Sequence, residues 1–252
     1  MNPKEAIQNL ISRMADNAFI LGHRNAEWTG IGPTLEEDIA FSSMAQDKIG
    51  HAFQLYTLMH KYMGGLSPDD MGFNRTEKEF LCCQFVELYT NDYAYALIRH
   101  YLYDHAEAIR YQLLRSSSFR PLADLAKKIA GEIKYHTMHA DLWMKKLTLG
   151  GNEESKARMQ TALNEAWPYA LGLFEITEAE ESIMQAKVFT GEEDLKSQWM
   201  AHILPAVERF GLRIPAYAEP VFGGAKGFHS HWLSPLLEEM TEVFRTDVST
   251  EW

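Results

Sequence analysis

Apolar residues return every three or four positions along most of this chain, in long runs separated by short clusters of Gly and Pro, and no strict alternation lasts long enough for a strand. The pattern predicts an all-α protein. Asn2-Pro3 supplies a cap and a proline at the first helical position, and Ile7, Leu10, Ile11, Met14, Ala18 and Leu21 share one face of a first helix ending by Gly30-Ile31-Gly32-Pro33. Thr34 and Glu37 form a capping-box signature for a second helix reaching about Met63, closed by Gly64-Gly65. Thr76 and Glu79 repeat that signature and predict a third, very long helix as far as Arg115; Ser118 and Pro121 open a fourth that runs to Gly150-Gly151. Four long segments with short connections predict an up-down antiparallel four-helix bundle. Asn152 then caps a fifth helix carrying Met159, Leu163, Trp167 and Leu171, with a bend expected at Pro168, and Thr190 and Glu193 cap a sixth. Gly211 to Ser234 reads as an ordered loop before a short last helix at Ser234-Pro235. The expected organisation is one domain over 1–252, with the core bundle at about 3–150 and a helical extension at about 152–252.

Charge and composition remove some classes of function. Against 35 Asp+Glu stand 24 Lys+Arg, a formal charge of −11, which excludes a strongly basic nucleic-acid binder. A 46% share of hydrophobic residues is too high for a disordered acidic tail. Cys82 and Cys83 are adjacent, a poor placement for an ordinary disulfide, and this fits a reducing compartment. The first residues lack the basic and apolar regions of a secretion signal, and the longest apolar stretch, Ala166 to Phe174, is about half of the ~20 residues a membrane span requires. A cytoplasmic protein with neither nucleic acid nor membrane as partner is expected.

Candidate chemistry lies in polar residues at inward positions. The second helix carries the stripe Ala40, Met44, Asp47, His51, Leu55, Leu58, and the fourth carries Leu122, Leu125, Ile129, Glu132, His136, Ala140, Trp143. Each places a carboxylate and an imidazole one turn apart. Asp104 occupies the third helix's heptad Leu97, Tyr101, Asp104, Ala108, Tyr111, and Asp16 sits between Met14 and Phe19 in the first. Carboxylates sent inward from four helices are the plan of ferritin-like dimetal proteins, whose motif is Glu-x-x-His. Here the motif is Asp/Glu-x-x-x-His, and Lys48 and Ile133 stand three residues before the two histidines. One residue of displacement turns a side chain by about 100°. The set Asp16, Asp47, His51, Asp104, Glu132 and His136 is therefore a vestigial or alternative dimetal site, with no catalytic residue and no resident metal expected. The Lys48 ammonium is an alternative source of the positive charge, and Asp47/His51 and Glu132/His136 read equally well as charge pairs that fix helix register.

Other features carry less. His139 follows His136 at one-face spacing but lies on the flank of the stripe. Gly223-Gly224-Ala225-Lys226-Gly227 lacks the spacing of a phosphate loop and reads as a turn. The run Glu175 to Glu181 reads as a solvated acidic helix face, and Tyr89, Tyr93, Tyr95, Tyr101 and Tyr103 as an aromatic-lined interior or interface.

Several segments together resemble one family. Leu21-Gly22-His23-Arg24-Asn25-Ala26-Glu27-Trp28, Leu35-Glu36-Glu37-Asp38-Ile39-Ala40, Glu132-Ile133-Lys134-Tyr135-His136, Leu163-Asn164-Glu165-Ala166-Trp167, Gly223 to His229, Leu236-Leu237-Glu238-Glu239-Met240 and the terminal Trp252 look like the PaaC-type subunit of the bacterial phenylacetyl-CoA epoxidase. The resemblance implies a ferritin-like, non-catalytic structural subunit with no cofactor of its own. Its partner would be a PaaA-type catalytic subunit holding the di-iron centre that epoxidises the aromatic ring of phenylacetyl-CoA, with a reductase supplying electrons from NADPH. His51 departs from the family pattern, which commonly has Gln after the glycine corresponding to Gly50.

Overall fold

A computed structural model describes residues 1–246, so Trp252 lies outside the described residues. Among those described there are ten α-helices and no strand. They are α1 (Pro3–Ala26), α2 (Leu35–Met63), α3 (Pro68–Phe73), α4 (Gln84–Glu87), α5 (Tyr93–Leu114), α6 (Arg120–Thr148), α7 (Glu153–Leu171), α8 (Glu180–Gln185), α9 (Glu192–Arg209) and α10 (Leu233–Thr246).

Side-chain pairs fix the register of the ferritin-like bundle. Asp16 meets Tyr56 and Ser12 meets Met59, so α1 and α2 run antiparallel. His100 meets His139 and Asp104 meets His136, which makes α5 and α6 antiparallel as well. In contrast, Glu37 meets Tyr93 and Lys48 meets Asp104, pairs that advance together along α2 and α5; those two helices are parallel. A parallel step needs a long crossover, the device that separates ferritin-like bundles from simple up-down ones. Residues 64–92 supply it, and they correct the expectation of short connections throughout.

The third long helix accordingly begins at Tyr93 and not near Thr76. Glu79 does accept from the backbone N and hydroxyl of Thr76, but the box opens only a three-residue 3-10 turn. Asp92 is the working cap, its carboxylate accepting from the Ala94 N–H at 2.7 Å. Two other cap assignments also change. Thr34 leaves the start of α2 without a side-chain bond because Glu37 turns inward, and α9 is opened by Gly191, at φ +108°, rather than by Thr190. Asn2 with Glu5, and Asn152 through Ser155, cap as the sequence predicts.

α1 and α5 are the inner helices. The single apolar face expected for α1 becomes burial on every side from Leu10 to Gly22, since α2, α4 and α8 all pack against it. Its polar residues survive there because each has a partner: Arg13 donates to the Glu175 carbonyl at 2.7 Å, and Asn17 accepts from the Cys83 N–H at 2.8 Å. α5 is enclosed by α6, α7 and α9. Trp199 of α9 donates to the Leu102 carbonyl at 3.0 Å and stacks on Trp167, joining the extension to the bundle in one buried cluster that runs from Ala6 to Leu237. Arg110 and Glu192 reinforce that join with a buried two-pronged ion pair at 2.7 and 3.0 Å.

Candidate functional site

Where α2, α5 and α6 meet, ionisable side chains replace the hydrophobic seam. Lys48 and Asp104 are completely buried, with Nζ 2.5 Å from Oδ1. The second Asp104 oxygen accepts from His100 Nδ1 at 2.6 Å, and Oδ1 also meets His136 Nδ1 at 3.2 Å. His136 Nε2 reaches the Asp47 carboxylate at 3.0 Å. Both ring nitrogens of His136 therefore face carboxylates, which requires an imidazolium. Burial alone lowers the His136 pKa, but the hydrogen bonds from Asp104 and Asp47 outweigh it and the net shift is upward.

His51 behaves oppositely. It donates from Nε2 to Glu132 at 2.7 Å, while burial first and then the neighbouring Lys48 push its pKa down to about 3, so the ring is neutral. Its Nδ1 is buried with no hydrogen-bond partner among the described residues, as are Glu107 Oε2 and the hydroxyls of Tyr103 and Tyr111. Burial also raises Glu107.

The network continues toward the other end of α6. His100 Nε2 meets His139 Nδ1 at 3.1 Å, and His139 Nε2 meets both oxygens of Glu37 at 3.1 Å, with Tyr93 donating to the same carboxylate. Burial raises the Glu37 pKa, yet the bonds from His139 and Tyr93 outweigh it and leave it lowered. From Asp47 through His136, Asp104, His100 and His139 to Glu37 the hydrogen bonds are unbroken. At that end an open groove of about 790 Å³ is lined by Glu37, His139, Leu142, Trp143 and Lys146. Such a chain can hold and redistribute protons between the half-exposed Asp47 and the groove.

Five of the six residues singled out in the sequence thus converge: Asp47, His51, Asp104, Glu132 and His136. Asp16 does not join them. It lies about two helical turns away along the bundle, judged by the 1.5 Å rise between Lys48 and Tyr56, and is neutralised by Arg75 at 2.6 Å, Tyr56 at 2.6 Å and the Leu81 N–H at 2.7 Å. Asp47 and Glu132 are also less buried than their stripe positions imply, at 40% and 37% side-chain exposure, while the fully buried acid is Asp104. Sequence reasoning missed His100, Glu107 and Glu37. His100 and Asp104 repeat the four-residue spacing in reverse order, a signal open to inspection; Glu37 was hidden by its apparent role as a cap.

Two further readings change. Glu175, at the start of the supposed solvated acidic face, is buried and accepts from the Gly223 and Ala225 N–H groups at 2.8 and 3.3 Å. The glycine-rich segment is a turn seated on that carboxylate. Of the five tyrosines, Tyr95, Tyr101 and Tyr103 are interior, Tyr93 serves Glu37, and Tyr89 is half exposed. Both cysteines are buried free thiols. Among the described residues no helix is long and apolar enough to cross a membrane.

Comparison with known proteins places this arrangement. Residues 2–252 match the family described as "Phenylacetic acid catabolic protein", whose profile covers both PaaA and PaaC. The chain is 27% identical over 240 residues to the PaaC-type component of the 1,2-phenylacetyl-CoA epoxidase of Escherichia coli (strain K12), a match covering 95% of this chain and 96% of that protein.

Proposed function

We propose that this chain, which belongs to the phenylacetic acid catabolic protein family, is a non-catalytic subunit of a phenylacetyl-CoA epoxidase acting in the aerobic degradation of phenylacetate. It supports a PaaA-type catalytic partner that holds the di-iron centre, and a reductase completes the cytoplasmic complex. The observation that carries this reading is the position of Lys48. Its ammonium is wholly buried against Asp104, within the set of carboxylates and imidazoles that would otherwise surround metal ions. A di-iron centre does not fit these residues. Both Asp104 oxygens are committed to Lys48, His100 and His136, and a divalent ion beside a fixed ammonium meets like charge where ligands should be. The Asp/Glu-x-x-x-His spacing then serves charge pairing between helices, so the bundle keeps its shape without metal chemistry.

The test is to purify the chain alone and with its co-expressed catalytic relative. The isolated chain is expected to carry far less than two irons at the bundle centre and to show no oxygen-dependent turnover of phenylacetyl-CoA. The pair is expected to elute as one complex, with turnover that depends on this chain. Two chelator-resistant irons per chain, or turnover by the chain and reductase alone, would support a self-sufficient dimetal oxidase built on Asp47, His51, Asp104, Glu132 and His136.

A further inference from the structure

The crossover holds a second convergence of reactive side chains, separate from the bundle centre. His229 Nδ1 lies 2.7 Å from Glu87 Oε1, and Cys82 Sγ lies 3.6 Å from that oxygen and 4.0 Å from the same nitrogen. The side chains of Glu87 and His229 have no exposure, and Cys82 is wholly buried. Among the described residues this is the one group of three His, Cys, Asp or Glu donors whose ligand atoms all lie within 4.8 Å of one another.

The supporting bonds orient the donors. His229 Nε2 donates to the Phe80 carbonyl at 2.9 Å, which leaves Nδ1 as the atom free to exchange its proton for a metal. The far oxygen of Glu87 accepts from the Ser230 N–H at 2.7 Å, fixing the near one toward the thiol and the ring. Gly224 lets the covering turn descend onto Cys82: a Cβ there would stand 2.0 Å from the Cys82 carbonyl oxygen.

We propose that Cys82, Glu87 and His229 form a zinc site that clips the loop before α10 to the crossover. Donors around tetrahedral zinc, with bonds of about 2.0 Å to N or O and about 2.3 Å to S, are separated by roughly 3.3–3.5 Å. The two edges to sulfur need to close by a few tenths of an ångström, and the Glu87–His229 edge opens as its shared proton leaves. Charge favours the exchange. Without metal the group is a neutral thiol, a carboxylate and an imidazolium, since both His229 nitrogens face acceptors; burial holds the Cys82 thiol well above its usual range. With zinc it is a thiolate, a carboxylate, a neutral imidazole and a divalent cation. Both states sum to zero, and binding releases two protons, one from Sγ and one from Nδ1. Thiolate, imidazole and carboxylate together suit zinc rather than calcium or magnesium. The enclosure of all three donors makes the site structural, and the proposal does not depend on the epoxidase reading.

The chain should be produced in zinc-supplemented and, separately, cobalt-supplemented medium, so that the ion enters as the loop closes. One zinc per chain is expected in the first preparation, and a near-ultraviolet thiolate-to-cobalt charge-transfer band in the second. Cys82→Ser and His229→Gln should lose the band, and Cys83→Ser, whose thiol lies outside the triad, should keep it. Calorimetric zinc titration of chelator-treated protein in buffers of different ionisation enthalpy should report about two protons released. A folded, metal-free chain from both media would overturn the proposal. So would cobalt bound without the charge-transfer band, because the bundle centre contains no sulfur.

Discussion

Asp47 and His136 face each other across two antiparallel helices at 3.0 Å, and one turn away the same pairing recurs in reverse as His51 and Glu132 at 2.7 Å. Two copies of one acid-x-x-x-His motif, running in opposite directions, supply each other's partners. Lys48 and Asp104 lie inside this cross-brace and are the only members of it with no exposure on either side of the pair.

That difference in burial predicts unequal costs. Removing one member of a buried ion pair typically costs about 3–5 kcal/mol, while pairs open to solvent contribute about 0–1 kcal/mol. Lys48→Met and Asp104→Asn should each fall in the first range by urea denaturation, and Glu132→Ala in the second. Lys48→Met combined with Asp104→Leu should recover most of the loss, because neither charge then remains uncompensated. Equal costs for Asp104→Asn and Glu132→Ala would contradict the assignment.

Acid should destabilise the fold before the ordinary carboxylates titrate. Burial, ahead of other causes, lowers His23 to about 4, His51 to about 3 and His100 to about 4. In the unfolded chain these groups titrate near 6.5. Between pH 6.5 and about 4 the unfolded state binds more protons, so stability drops as pH drops, by about 1.4 kcal/mol per unit for each such group. Glu107, raised by burial, offsets part of this above the ordinary carboxylate range. His136 acts on the alkaline side: its pKa is raised, so its contribution is complete below 6.5 and is lost as pH rises through its folded value. Denaturation at pH 5, 6 and 7 should show the acid slope, reduced by about one proton in His100→Gln; a flat profile would contradict it.

Two glycines should respond in opposite ways to alanine. At Gly224 the new Cβ would collide with the Cys82 backbone, and a loss of about 2 kcal/mol or more is expected. At Gly50, inside α2, nothing lies within 4 Å of the added carbon, so Gly50→Ala should gain about 0.5–1 kcal/mol from helix propensity alone. Thermal melts of the two variants check both directions.

Helix class and most of the inward histidines and acids were legible because period and stripe position are local properties. The crossover was not. Thr76 and Glu79 do bond as a capping box should, yet the following residues are held extended by α1, whose Asp16 and Asn17 accept from the Leu81 and Cys83 N–H groups. Those tertiary bonds outweigh a local helix preference and are invisible to spacing. Glu37 was misread for the same reason: the shape of a cap is written in sequence, whereas its diversion to His139 requires a helix that begins more than eighty residues later. Asp16 looked like a member of the central set because stripe position gives direction around a helix but not height along a neighbouring one.

The fastening of the crossover also orders the events of synthesis. Arg24 donates to the carbonyls of Glu87 and of Trp232, and Glu87 in turn holds Ser230, so the interior around α1 is closed by residues near the end of the chain. While the ribosome is still adding α9, the early bundle has helices but no seal over Cys82 and Glu87. Completion of the core waits for nearly the whole polypeptide, and a chain released early would present an open flank to proteases and to other nascent chains.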